Sequence, residues 1–171
     1  MSRVTRGLRR ALALRPLSRE DSPRAHNMAE GLASDLGIDP PSLHLIPAGE
    51  PNALVFLGSA PSVALAGSLL ETFARTELEA VVAHCLIRFK ETNVRRAMVA
   101  VWWGRRGHRF APEVGREDDI RTCALTRYPP ALAAALRKAV VRDERFGPLW
   151  FVGAGPPHRS AVERALDVLD L

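Results

Sequence analysis

The residues best placed to do chemistry lie in one run, residues 76–93, where His84, Cys85 and Arg88 sit within a periodic apolar pattern. Leu78, Val81, Val82, Cys85, Leu86 and Phe89 recur at spacings of three and four, which predicts a helix with one buried stripe. Thr76 and Glu79 have the spacing of a capping box, so the helix is expected to start there. His84 and Arg88 then project from one side, at the edge of the stripe. Two imidazoles at that spacing would give a metal ion two ligands, and a carboxylate beside the first would activate metal-bound water. Here His84 supplies one imidazole, the Cys85 thiol takes the place of the carboxylate, and the Arg88 guanidinium takes the place of the second ligand.

The surrounding elements can be read from local signals. Residues 2–15 combine five arginines with Val4, Leu8 and Leu12 at helical spacing and are expected to form a short basic amphipathic helix ended by Pro16. This segment, 1–20, is the expected peripheral part of one domain spanning 1–171. Packing on the domain is its simplest role, with membrane-surface contact as the functional alternative. Ser22-Pro23 and Gly37 bracket a second helix with Met28, Leu32 and Leu36 on its buried side. Strands are expected at 43–46, 53–57 and 63–66, with a short helix at 68–74 leading into the central one. The fold class is therefore α+β, mainly helical, with a small three-stranded sheet.

Composition excludes several function classes. Apolar residues make up 47% of 171 and charged residues 25%, ordinary for a globular chain. No apolar run approaches the roughly 18 residues of a membrane span. No apolar core precedes a small-residue cleavage site near residue 1, so a secretory signal is not expected and the cytoplasm is the expected compartment. Two cysteines do not make a disulfide scaffold. The net charge of +5 rests on 24 basic residues of which only Lys90 and Lys138 are lysines. Such arginine bias reflects a GC-rich genome more readily than a nucleic-acid partner, and no nucleic-acid motif is present, so none is expected.

The order of these features resembles the peptidase domain of the HtpX-type, CaaX-prenyl-protease-like zinc metallopeptidases. His26-Asn27 and Gly31-Leu32, the 40–46 strand, Pro51-Asn52-Ala53, the strand at 62–66, Leu69-Leu70 and the run 77–84 follow in family order. The later helix of that family carries a glutamate ligand with an aspartate four residues on, then a threonine and a proline. Asp119, Thr126 and Pro129-Pro130 match this spacing and are followed by an expected helix at 131–141, which places the ligand position at Gly115. Glu117 reaches that position only by a two-residue shift to another helix face. His158 and Arg164 match a histidine and an arginine six apart before the last helix. The resemblance implies a zincin-like architecture with Asn52, Asp119 and Arg164 around the site. The usual apolar segments after the zinc helix are shortened here to 98–103.

Of the zinc ligands and base that the resemblance implies, only His84 is retained. The vestigial positions are Cys85 and His158 for catalysis and His84, Arg88 and Gly115 for metal. The reading is a pseudopeptidase with a structural, peptide-binding or partner-binding role and no cofactor. The alternative is an active metalloendopeptidase whose zinc is held by His84, Cys85, Cys123 and Asp119, since thiolate and imidazole suit zinc. The first reading further expects the Arg88 guanidinium to fill the space of the ion and pair with Asp119, or else to reach solvent along the groove. His26 and His44 are read as surface or capping histidines, and His108 as part of a solvated basic loop with Arg105, Arg106 and Arg109. Trp102, Trp103, Trp150 and Phe151 are read as core or groove wall, and 153–157 as a turn.

Overall fold

The structure is a computed structural model that describes residues 3–91, 93–140, 144–153 and 158–170. It is an α+β fold, mostly helical, with one four-stranded sheet. The N-terminal helix α1 (Arg3–Ala11) ends earlier than Pro16, which lies instead in a two-residue strand, β1 (Arg15–Pro16). A proline fits there because β1 is an edge strand that needs no complete ladder. Next come α2 (Pro23–Leu36), β2 (Ser42–Ile46), β3 (Ala53–Leu57) and β4 (Pro61–Ala66). Strand order is β1-β2-β4-β3, with β2 parallel to β4 and the other pairs antiparallel. The sheet thus has one strand more than the three read from sequence. On α2 the buried row is Ala25, Ala29, Leu32 and Ala33, while Met28 and Leu36 are only partly covered. Gly37 closes the helix in the left-handed conformation, φ 66°, that favours glycine.

After α3 (Gly67–Thr72), the central helix α4 (Arg75–Lys90) packs against α2, α5 (Asn93–Trp102), α7 (Arg116–Thr126) and α8 (Pro129–Lys138). It is not a one-sided helix: every residue from Ala80 to Arg88 is buried. Its start is also two residues earlier than Thr76 and Glu79 suggest, with Ala74 as the cap and Glu77 three residues on. Glu77 Oε2 accepts from the Ala74 backbone N–H at 2.7 Å and also takes the Lys138 ammonium at 2.7 Å, so the cap is tied to α8. Thr76 is exposed. The chain ends in a 3-10 segment (Glu144–Leu149) and α9 (Ala161–Leu169), with α6 (Arg105–His108) between α5 and α7. The expected helix at 131–141 stops at Lys138, and Val141 and residues 154–157 of the expected turn lie outside the described residues.

The outer edge of β3 is covered by the chain itself. Leu54 bridges Trp150 in antiparallel sense, the Phe151 N–H donates to Ala53 O at 2.8 Å, and the Val140 N–H donates to Pro51 O at 2.9 Å. Asn52 fixes this junction from within. Its Nδ2 donates to Val140 O at 2.6 Å and Val152 O at 2.7 Å, and its Oδ1 accepts from the Ala53 and Val152 N–H groups. One buried amide side chain therefore satisfies four backbone groups that would otherwise be stranded.

Candidate functional site

Four side chains from three helices meet beneath the 147–153 segment. α4 supplies His84 and Arg88, α7 supplies Asp119, and α9 supplies Arg164, all of them buried. Arg164 is the hub. Its Nε donates to Asp119 Oδ2 at 2.8 Å and its Nη2 to Asp119 Oδ1 at 2.7 Å, a bidentate fork. Its Nη1 donates to Phe151 O at 3.0 Å, and Nη2 also lies 3.1 Å from His84 Nε2. A guanidinium can only donate, so His84 Nε2 is the acceptor and the imidazole is neutral with its proton on Nδ1. Burial lowers the affinity of His84 for a second proton, and this outweighs the nearby Asp119 carboxylate. Burial alone would raise the Asp119 carboxyl, but the hydrogen bonds from Arg164 hold it at about 2.

Arg88 does something the sequence reading did not anticipate. It neither pairs with Asp119 nor reaches solvent: its side chain is fully buried. Nη1 donates to Leu149 O at 3.2 Å and Trp150 O at 3.1 Å, and Nη2 donates to Pro148 O at 2.5 Å. The guanidinium thus gathers three consecutive carbonyls of the segment that covers β3. Asp119 is unavailable to it because both carboxylate oxygens already face Arg164. Burial depresses the Arg88 pKa, partly offset by the charge of Asp118.

His158 is turned to the same segment. Its Nε2 lies 2.6 Å from Gly147 O, so this nitrogen carries the proton and donates it inward. Burial, then the charge of Arg88, pull its pKa down to about 3, which keeps the ring neutral. Gly153 is needed for the approach: a Cβ there would stand 2.5 Å from the His158 ring. At the position matched to a glutamate ligand, Gly115 precedes the first turn of α7, and a Cβ would come within 3.2 Å of Arg159 and Glu113. Glu117 is exposed and paired with Arg121 at 2.7 Å, away from the hub.

Both cysteines are free and buried. Burial pushes the Cys85 thiol up to about 12 and Cys123 to about 11, the latter aided by Asp119. Among the described residues no three histidine, cysteine, aspartate or glutamate side chains gather as metal ligands, so His84, Cys85, Cys123 and Asp119 are not brought together as one. Other readings need correction. His44 is buried and packs 5.3 Å from the Phe56 ring, and His108 is buried rather than solvated. Trp150 and Phe151 are core, with Phe151 edge-on to His84 at 5.0 Å, but Trp102 and Trp103 are exposed. The carbonyls of Pro148, Leu149 and Trp150 were missed, because a backbone acceptor leaves no mark in the sequence. The available signal was the arginine itself, a charge that must be satisfied wherever it is buried.

No family model matches the chain. It is 34% identical over 172 aligned positions to a protease HtpX homolog of Dictyoglomus turgidum, covering 73% of this chain and 56% of that relative. To a protease HtpX homolog of Tropheryma whipplei it is 29% identical, covering 72% of this chain and 58% of the relative. To one of Thermococcus sibiricus it is 35% identical over 83 residues, or 47% of this chain and 28% of the relative. The chain thus spans little more than half the length of the Dictyoglomus and Tropheryma relatives and 28% of the Thermococcus one.

Proposed function

Because the chain belongs to the HtpX-like metallopeptidase family, we propose that it is a pseudopeptidase whose ancestral catalytic centre has become a buried polar core. Its role is then structural or partner-binding. The observation that carries this reading is the Arg88 guanidinium, which occupies the second-ligand position and is committed to three carbonyls. The rest of the donor set also does not fit zinc. His84 Nε2 is engaged by Arg164, the thiol at 85 is kept protonated by burial, and position 115 offers no side chain. Arg88 and Arg164, both buried, would also oppose a divalent metal there by Coulomb repulsion.

In this reading the retained groups hold structure rather than substrate. Arg88, Arg164, Asn52 and His158 clip the 147–152 segment onto the edge of β3. That edge would otherwise offer unpaired backbone groups to an extended peptide. Two unpaired cysteines are in keeping with a reducing compartment such as the cytoplasm. The test is hydrolysis of unfolded casein by the purified chain with added zinc. The expected result is no cleavage above that of a His84→Ala variant. Cleavage that His84→Ala abolishes would overturn the proposal.

A further inference from the structure

All 19 acidic residues lie outside two segments, 1–19 and 92–112, and these segments carry eleven of the 24 basic side chains. The fold sets α1 beside α5. α1 is anchored by the fully buried Leu8 and by the Thr5 hydroxyl, which donates to Leu57 O at 2.7 Å. Its apolar side is therefore taken up by the core, and Arg3, Arg6 and Arg10 face outward. Next to it lies a groove of about 420 Å³ lined by Val4, Met98, Val99 and Trp102, with Arg3 and Arg95 as its charged members. Beyond it the aromatic side chains stay in water: Trp102 is 63% exposed, Trp103 60% and Phe110 67%.

Exposed tryptophans beside arginines, with no carboxylate in the same stretches, have the composition of a surface that sits at a membrane interface. We propose that the α1–α5 face docks on an anionic lipid bilayer. The guanidiniums of Arg3 and Arg95 meet headgroup phosphates, and Trp102 and Trp103 enter the interfacial layer. A second copy of this chain is a poor occupant, because two such faces would bring only positive charge together. A single-stranded nucleic acid would want flat stacking ledges along a basic track, whereas beside Trp102 the groove walls are aliphatic. No helix of the described residues is long and apolar enough to cross a membrane, and the contact proposed is that of the α1–α5 face with the lipid surface. The inference does not depend on whether the buried site is catalytic.

The test is co-sedimentation with vesicles of phosphatidylglycerol and phosphatidylcholine, and with phosphatidylcholine alone, read together with tryptophan emission. Partition onto the anionic vesicles should exceed that onto zwitterionic ones by at least tenfold, with a blue shift from Trp102 and Trp103. Trp150 is buried and contributes a constant background. Arg3→Glu with Arg95→Glu should cut partition by more than tenfold. Trp102→Ser with Trp103→Ser should remove the shift; all four sites are exposed or at the surface, and circular dichroism checks that the fold is kept. Equal partition onto both vesicle types, or partition unchanged by either double variant, overturns the proposal. So does displacement of vesicles by a single-stranded oligonucleotide with no blue shift at any lipid concentration.

Discussion

Arg164 and Asp119 form a two-bond fork, Nε to Oδ2 at 2.8 Å and Nη2 to Oδ1 at 2.7 Å, with both side chains withdrawn from water. The pair joins α7 to α9, and the same guanidinium reaches α4 through His84 and the 147–153 segment through Phe151 O. Removing one partner leaves the other charge buried and uncompensated. Arg164→Ala or Asp119→Asn is therefore expected to cost about 3–5 kcal/mol, measured as a shift in the urea midpoint at constant m value.

The pair also fixes an acid limb. The Asp119 pKa is depressed, to about 2 from 3.8, so its contribution is fully present above pH 3.8 and is lost as pH falls through 2. By linkage it amounts to about 2 kcal/mol at neutral pH. His84 and His158 are depressed too, so each favours the folded state fully above pH 6.5 and that contribution is lost as pH falls toward the folded values, about 3 for His158. Unfolding free energy should be flat above pH 7, decline below 6.5 and fall again below 4. The final step should be absent in Asp119→Asn, as read from urea midpoints across the pH range.

Arg88 makes a separate prediction. Its three carbonyl partners are consecutive, so no small side chain can serve them together. Arg88→Ala should cost about 3 kcal/mol or more, through stranded acceptors and a cavity. Arg88→Lys should recover less than half of this, since a compact ammonium lacks the planar fork. Thermal melts of the three proteins decide it. Equal stability of Arg88→Lys and the parent would remove the geometric argument.

Cys85 and Cys123 should behave as inert core thiols. With their pKa values pushed to about 12 and 11, little thiolate exists at pH 8. Iodoacetamide labelling followed by mass spectrometry should modify neither in the folded protein and both in urea.

Much of this was legible in the sequence, and the failures have physical causes. The stripe of Leu78, Val81, Val82 and Leu86 gave the central helix correctly, but its register at the start was decided by Lys138, a residue 61 positions away that holds Glu77. Asp119 and Arg164 were both recognisable as neighbours of the site. Their pairing with each other was not, because Arg88 offered an equally charged rival and its true partners are backbone oxygens. Strand β1 has two residues, too few for any alternation. Trp102 and Trp103 were read as core or groove wall; Trp102 does line a groove, yet both are exposed, because burial depends on what the rest of the chain leaves uncovered.

The central claim is that His84 lies in a polar core rather than a metal centre. Zinc content of the purified, tag-free protein, after incubation with zinc and dialysis, tests it most directly, with His84→Ala as control. The account predicts no retained zinc in either protein. Near-stoichiometric zinc in the parent, lost in His84→Ala, would contradict it.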